Sequence, residues 1–360
     1  MEKVIELSHK EFLKIDKDYS KAAKVAELTY VNDKQTGINR LKKGKGFVYV
    51  YDRKPLKEKG EMERIRKLAI PPAWTNVWIC PNENGHIQAT GFDIRGRKQY
   101  RYHTMWNTLR NETKFHRLYE FGKVLPSIRL KLEEDLSKKD LTEEKALATV
   151  VSLMERTYIR VGSEEYEKLN GSYGLTTLKD NHVKIEGDKI FFSFKGKKGI
   201  EHKITLKNKR LARMVKQCRD IPGKELFQYY DVEGNRKSVD SGMVNRYIKD
   251  ASGGDFTAKD FRTWAGTLNI IRAFKSIGEA ESETDCKKKI VAALDEVSKQ
   301  LGNTRTVCKK YYVHPGIIKL YEEKNLLKYL KELDKIEQPD DLAGLTSGER
   351  VLLKILKQLV

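Results

Sequence analysis

The sequence has few cysteines, and their positions exclude two classes of protein. Cys80, Cys218, Cys286 and Cys308 are scattered along 360 residues. No two of them are close enough in sequence to form half of a zinc site, and nothing in their spacing resembles a disulfide framework. The seven histidines are equally dispersed. We therefore expect free, reduced thiols and no bound metal.

The chain also lacks a long apolar run and an export signal. No stretch approaches the roughly 18 apolar residues needed to cross a bilayer. The N-terminal residues Met-Glu-Lys-Val-Ile-Glu-Leu are interrupted by charge at once, unlike a signal peptide. We expect an intracellular protein that is not secreted, located in a cytoplasm, a nucleus, or a viral factory or virion.

Acidic residues are in the minority. There are 51 Asp and Glu residues against 71 Lys and Arg residues, for a formal net charge of +20. Such a surface repels itself unless a polyanion is present, and it typically neutralises phosphates with release of their counterions. An anionic membrane is the alternative partner, but neither terminus contains a strongly amphipathic basic helix. The charge therefore favours nucleic acid.

The length favours two domains, and the local patterns divide the chain. Residues 1 to about 105 contain short β-branched or aromatic runs separated by turn-forming residues, which predict strands, and one helix over about residues 61–68. The predicted strands are residues 47–51, 77–80, 86–90 and 98–102. From about residue 104 the pattern becomes helical, and residues 182–206 predict a three-stranded meander. The sequence predicts an α+β protein with a small antiparallel β-rich domain over residues 1–108 and a mostly α-helical domain over 109–360.

Local signals mark the starts and ends of several helices in the second domain. Helices are predicted to begin near Thr142, Asn208 and Asp240, and Thr257 with Asp260 forms a capping box at the start of another. A further helix from about residue 284 ends at Gly302, a natural C-terminal cap.

Basic residues near these predicted helix ends are candidates for anion binding. Arg160 directly follows a helix, and Lys197 lies in the hairpin turn 195–199; alone, each is more typical of a solvated surface. Lys259 and Arg262 share one face in the first turns of a helix, where the macrodipole is positive and disfavours cations. An anion between them, such as a phosphate, would offset that cost.

Tyr311 and Tyr312, next to Lys309 and Lys310, are candidates for a nucleophile. A tyrosine beside lysines usually lies at a surface or an interface, but positive charge from arginines stabilises a phenolate and makes it usable for attack on a phosphodiester. Arginines can brace the non-bridging oxygens and a lysine can protonate the leaving oxygen. No Walker motif or acidic cluster for Mg²⁺ is evident.

The order Arg160, Lys197, Lys259-x-x-Arg262, Asn303, Tyr312 resembles that of the type IB DNA topoisomerases of the small poxvirus and bacterial group. Their superfamily also includes the tyrosine recombinases. The resemblance covers nearly the whole chain, and its N-terminal part looks like bacterial-type members and is absent from recombinases. Its most specific segments are residues 68–80, 89–91, 96–103, 172–178, 194–197, 259–264 and 301–315.

The resemblance implies a role for each of these residues. Tyr312 rather than Tyr311 is the nucleophile, because the family's tyrosine lies nine residues after the position of Asn303. Arg160 and Arg262 clamp the phosphate, Lys197 is the general acid for the departing 5′-OH, and Lys259 contacts the same phosphate region. A second set matches residues that touch DNA; for its tyrosines at positions 100 and 102, packing within the sheet is an equal alternative. That set is Gln99, Tyr100, Tyr102 and Tyr166.

Asn303 departs from the poxvirus pattern, which has histidine there, although some bacterial-type members look like this sequence. Asparagine can donate a hydrogen bond to a non-bridging oxygen but cannot carry a titrating charge. We expect Asn303 to stabilise the transition state electrostatically, without a role in proton transfer.

The resemblance implies a C-shaped clamp on double-stranded DNA, a 3′-phosphotyrosyl intermediate, and relaxation of supercoils by a monomer without ATP, metal or another cofactor. One alternative is a tyrosine site-specific recombinase, which would need synapsis of two duplexes through exchanged C-terminal segments. Residues 340–360, however, predict an ordinary packing helix or pair of helices. The other alternative is a non-catalytic DNA-binding module, which would form no covalent adduct.

Overall fold

The computed structural model describes residues 7–44, 46–94, 96–333 and 343–360. The chain divides into two compact units, residues 1–117 and 118–360. The division lies within one long helix, Thr104–Ser137. In the described part of the chain, no helix is both long and apolar enough to cross a membrane.

The first unit is built on a six-stranded antiparallel sheet with the strand order β3-β2-β1-β4-β5-β6. All four predicted strands and the predicted helix are confirmed, whereas two short helices and two strands were missed. The elements are α1 (His9–Asp16), α2 (Tyr19–Val25), β1 (Ile38–Lys43), β2 (Gly46–Tyr51), β3 (Lys54–Pro55), α3 (Lys59–Lys67), β4 (Thr75–Ile79), β5 (Ile87–Phe92), β6 (Lys98–Tyr102) and the beginning of α4 (Thr104–Ser137).

Strand β1 was missed because a charged residue occupies one of its buried positions. Arg40 is only 8% exposed. Its guanidinium donates hydrogen bonds to the carbonyls of Ile70, Pro71 and Trp74 at 3.2, 3.0 and 2.7 Å. A buried cation needs such partners, and the sequence gives no sign of them. The alternation of buried and exposed positions in this strand therefore cannot be recognised from the sequence.

The second unit is mostly helical, as predicted, and contains the predicted meander of β7, β8 and β9. A two-stranded hairpin, β10 with β11, was missed. After the end of α4 the elements are α5 (Glu143–Thr157), α6 (Glu164–Asn170), β7 (Val183–Glu186), β8 (Lys189–Lys195), β9 (Glu201–Lys207), α7 (Lys209–Arg219), β10 (Gln228–Tyr230), β11 (Arg236–Ser238), α8 (Ser241–Ser252), α9 (Ala258–Ile277), α10 (Glu283–Leu301), α11 (Arg305–Tyr311), α12 (Pro315–Glu322), α13 (Leu327–Leu330) and α14 (Ser347–Leu359).

The predicted helix starts near residues 142, 208 and 240 are also confirmed, and the structure shows a side-chain cap at each. The side chains of Thr142, Asn208 and Asp240 accept backbone hydrogen bonds at the starts of α5, α7 and α8. Gly302 ends α10 with a φ of +59°, a left-handed conformation that favours glycine. In the predicted C-terminal tail, α14 forms over Ser347–Leu359, while residues 340–342 lie outside the described residues.

Helix α9 lies at the centre of the second unit. Its residues are buried on nearly every face, and it packs against α5, α8, α10, α12 and α14. A helix buried all round is held by tertiary contacts more than by its own propensity. The residues that α9 carries are therefore fixed relative to four or more neighbouring helices.

A buried ion-pair network ties α14 to the rest of this unit. Glu349, only 4% exposed, accepts two hydrogen bonds from Arg129 at 2.7 and 2.9 Å and one from Trp264 Nε1 at 3.2 Å. Arg129 also binds Glu155 at 2.7 Å. Burial alone would raise the pKa of Glu349, but Arg129 outweighs it and holds this pKa below its ordinary value of 4.5.

We predict that Glu349→Gln destabilises the protein by about 2–4 kcal/mol at pH 7, because a buried charged hydrogen bond is lost. The folded-state pKa of Glu349 is lowered, so its stabilisation is complete above pH 4.5 and is lost as the pH falls through the folded value. Urea unfolding of wild type and variant should therefore converge in acid. The exposed Glu323→Gln is the control; equal stability of Glu349→Gln and wild type at pH 7 would contradict the prediction.

Candidate active site

Arg160 emerges from the end of α5 and is held by a second segment. Its carbonyl accepts a hydrogen bond from Leu175 N at 2.9 Å, and Val161 O accepts one from Thr176 N at 2.7 Å. At Gly174 an added Cβ would lie 2.6 Å from Arg160 O, which leaves no room for a side chain. The segment 172–178, one of the family-like motifs, therefore fixes the backbone that carries Arg160.

Arg262 is buried at the start of α9. Asp260 accepts hydrogen bonds from Thr257 N at 2.8 Å and Oγ1 at 3.0 Å, which sets the beginning of the helix. The Arg262 guanidinium, in a residue 6% exposed, donates to Tyr158 O and, at 2.7 Å, to Leu301 O. These carbonyls belong to the ends of α5 and α10. Arg262 thus joins three helices at one point.

Asn303 lies beside both arginines, directly after α10. Arg160 Nη2 donates to Gly302 O at 3.0 Å and to Asn303 Oδ1. The Asn303 backbone is held in turn, since its N–H donates to Ser298 O at 2.9 Å. The structure therefore brings together Arg160, Arg262 and Asn303, which are far apart in sequence.

Tyr312 completes this cluster. It follows α11, its ring is half-buried, and the guanidinium carbon of Arg262 lies 5.1 Å from the ring centroid. The Tyr312 carbonyl accepts a hydrogen bond from Thr267 Oγ1 of α9 at 3.2 Å. Tyr311 differs, because it is 40% exposed and its ring lies 5.5 Å from Lys310 Nζ. The arginine cluster contacts Tyr312.

A glycine on α9 makes room for Tyr312. A Cβ added at Gly266 would lie 2.5 Å from Tyr312 O and 3.0 Å from Tyr312 Cβ. Both distances are shorter than normal contacts allow. The backbone of Tyr312 therefore packs directly on the backbone of α9, one turn after Arg262.

The electrostatics of the cluster favour an anion. Burial, together with the nearby charge of Arg262, lowers the pKa of Arg160 to about 10. Burial also lowers the pKa of Arg262. Both guanidiniums remain charged at pH 7. Among the described residues, Arg262 Nε and Asn303 Nδ2 are buried donors without a hydrogen-bond partner. Unpaired buried donors are costly, and phosphate oxygens are acceptors that would satisfy them.

Lys197 and Lys259 are both exposed. Lys197 begins a short 3₁₀ turn, Lys197–Gly199, between β8 and β9. Tyr173 N donates to Lys195 O at 2.8 Å, so segment 172–178 holds the base of this hairpin as well as Arg160. Lys259 lies three residues before Arg262 on α9 and, unlike it, faces solvent.

The other DNA-contact candidates belong to two elements, β6 of the first unit and α6 of the second. Tyr100 and Tyr102, 43% and 39% exposed, stack on each other with a centroid distance of 5.7 Å on β6 of the first unit. Gln99 on the same strand is half-buried and donates to Asp93 Oδ2 at 3.2 Å. Tyr166 belongs to α6, but its side chain lies outside the described residues.

Three site residues were missed in the sequence: His202, Gly266 and Thr267. His202 lies on β9, and an added Cβ at Gly302 would meet its ring at 2.3 Å. Gly266 and Thr267 contact Tyr312. Residues 266 and 267 lie two and three residues after the motif 259–264 on the same helix, which is a weak signal. No local pattern marks His202, because its importance depends on contacts across the chain.

Comparisons with known proteins place the chain in a family. Residues 103–338 match the family model for the eukaryotic DNA topoisomerase I catalytic core, and residues 46–93 match the model for the bacterial DNA topoisomerase IB N-terminal domain. The chain is 36% identical to DNA topoisomerase 1B of Acanthamoeba polyphaga mimivirus, over 79% of this chain and 88% of the relative. It is 25% identical to DNA topoisomerase 1B of vaccinia virus (strain Copenhagen), over 66% and 73%.

A rabbit fibroma virus DNA topoisomerase 1 is 24% identical over 75% of this chain and 85% of its own length. The two family models together extend from residue 46 to residue 338 with a short gap. The recombinase alternative is not favoured by these matches. The chain belongs to the type IB DNA topoisomerases.

Proposed function

We propose that this type IB topoisomerase relaxes supercoiled duplex DNA through a transient 3′-phosphotyrosyl bond at Tyr312. The observation that carries the proposal is the convergence of two buried guanidiniums and the Asn303 amide beside Tyr312. Such a group of donors fits the charge that develops on the non-bridging oxygens of a phosphodiester during displacement. A non-catalytic DNA-binding module, which only neutralises phosphates at its surface, would not need this convergence of groups.

In the proposed reaction the Tyr312 oxygen forms a bond to phosphorus, and its proton passes to water. The bond from phosphorus to the 5′ oxygen breaks, and Lys197 supplies the proton that makes this oxygen a hydroxyl. The tyrosyl phosphodiester keeps the energy of the broken bond. The 5′-OH can therefore reverse the reaction after the strand has swivelled, with no need for ATP.

Arg160, Arg262 and Asn303 have distinct parts in holding the phosphate. Arg262 is fixed by two carbonyls and has its Nε–H still to donate. Asn303 orients Arg160 through Oδ1 and keeps Nδ2 as a donor. A neutral amide supports charge without exchanging a proton. Lys259, exposed on the same helix as Arg262, is assigned to the neighbouring phosphate region.

We assign DNA binding to residues 1–108 and catalysis to residues 109–360. The exposed pair Tyr100 and Tyr102 supports the first assignment, because aromatic faces beside Lys98 can contact DNA. Gln99 and Tyr166 are assigned to the same contact by resemblance to the family. The partner is double-stranded DNA, and the enzyme acts as a monomer inside the cell without a metal or another cofactor.

The central test is relaxation of a supercoiled plasmid in EDTA without nucleotide. We expect wild type to relax it, Tyr312→Phe to be inactive, and Tyr311→Phe to remain active, because the Tyr312 ring lies against Arg262 whereas Tyr311 is 40% exposed. Trapping the covalent adduct on a suicide DNA substrate should give the same order. Activity of Tyr312→Phe, or inactivity of folded wild type, would overturn the proposal.

The packing of Tyr312 on α9 predicts a second effect. Gly266→Ala should slow single-turnover cleavage by on the order of 100-fold, because the new methyl group displaces the nucleophile. Gly344→Ala is the matched control, since an added Cβ there meets nothing within 4 Å. Equal cleavage rates for the two variants would show that Tyr312 is not held by this contact.

The role of Asn303 has its own test. Asn303→Ala should slow cleavage by about 100- to 1000-fold, because a donor to the transition state is removed and Arg160 loses an acceptor. Its cleavage rate should keep the pH dependence of wild type, as expected for a residue that transfers no proton. The exposed Asn325→Ala serves as control. A changed pH profile in Asn303→Ala would contradict the electrostatic role.

A further inference from the structure

His202 occupies a distinct place in the β8–β9 hairpin. It lies on β9 directly opposite Phe194 of β8. The two rings stack with a centroid distance of 4.9 Å and an interplanar angle of 10°. The imidazole is thus oriented by its partner strand and half-buried over the base of the turn that carries Lys197.

Two glycines surround the edge of the His202 ring. A Cβ added at Gly196 would lie 2.6 Å from His202 Cδ2 and Nε2, and one added at Gly302 would lie 2.3 Å from Cε1. Gly196 directly precedes Lys197, and Gly302 directly precedes Asn303. The ring therefore fills the space between the hairpin and the arginine cluster, in contact with both backbones.

The charge around His202 suits a packing role. Burial lowers its pKa, the charges of Arg160 and Arg262 lower it further, and Glu201 opposes them. The ring is neutral at pH 7 and adds no third cation beside the two guanidiniums. A neutral ring can remain wedged between the two backbones whether or not a phosphate is bound.

We propose that His202 is the positioning residue for Lys197: it fixes the hairpin against Gly302, so that the exposed lysine reaches the 5′ oxygen of the phosphate held by Arg160 and Asn303. This inference rests on the proposed role of Lys197 as general acid. A lysine on a short turn has many accessible conformations, and a general acid must lie within hydrogen-bond reach of the atom that it protonates. Fixing the turn reduces the number of conformations that Lys197 can adopt.

The test uses the leaving group to separate proton transfer from phosphate clamping. Single-turnover cleavage is measured on a DNA duplex with the normal 5′ oxygen and on one with sulfur at that bridging position. A thiolate leaves without protonation, because a thiol is far more acidic than an alcohol. A defect in general-acid catalysis is therefore relieved on the sulfur substrate, whereas a defect in clamping or folding is not.

We expect His202→Ala to slow cleavage of the oxygen substrate by about 10- to 100-fold, with a sulfur-substrate rate within about threefold of wild type. Gly196→Ala retains the histidine but adds a methyl group 2.6 Å from its ring, so it should show the same selective defect. Its φ of −93° accepts alanine. Lys197→Ala provides the reference pattern, and His182→Ala, which removes another imidazole packed on an aromatic ring, is the control.

Each outcome has one meaning. Selective loss on the oxygen substrate in Lys197→Ala, His202→Ala and Gly196→Ala supports the inference. Suppose that sulfur relieves the cleavage defect of Lys197→Ala. If His202→Ala and Gly196→Ala are then slowed equally on both substrates, or are not slowed on either substrate, the inference fails, whereas the role of Lys197 as general acid is retained. If Lys197→Ala is not relieved, the proposed acid itself is wrong, and the inference fails with it. Thermal unfolding of each variant verifies that it folds.

Discussion

The candidate active site depends on the hydrogen bonds of Arg262 to two main-chain carbonyls. Tyr158 O and Leu301 O are the terminal carbonyls of two helices, which carry partial negative charge and otherwise lack partners. By binding both, one guanidinium aligns α5, α9 and α10. Arg160 follows one of these helix ends, and Asn303 follows the other. The groups that we propose to bind the phosphate are thus arranged by contacts within the protein.

Placing two guanidiniums close together is electrostatically unfavourable, and neutral groups of the protein offset this cost. The guanidiniums of the half-buried Arg160 and the buried Arg262 lie close together. Among the described residues, no carboxylate forms a hydrogen bond with either one. Backbone carbonyls and the Asn303 oxygen stabilise them instead. A carboxylate there would neutralise the arginines and compete with phosphate. The partial charges of carbonyls hold the cations in place and leave their attraction for an anion intact.

Local signals in the sequence were sufficient for much of this fold. The capping box of Thr257 and Asp260 could be recognised because the chemistry of a cap lies within three residues. The meander could be predicted because turn residues separate its strands. Interactions across the chain could not be predicted. Arg40, for example, would be assigned to an exposed position until its carbonyl partners are known. The candidate cluster at Arg160, Arg262, Asn303 and Tyr312 followed from motif order, whereas the contacts of His202 and Gly266 required the structure.

Arg40, like Arg262, is held by hydrogen bonds to main-chain carbonyls, those of residues 70, 71 and 74. A carbonyl is present whatever side chain its residue carries. Substitutions at the accepting positions can therefore accumulate over evolution without removing the acceptor, provided that the backbone keeps its course. The surroundings of Arg40 and Arg262 in this chain thus depend on the course of the main chain more than on which side chains stand at the accepting positions.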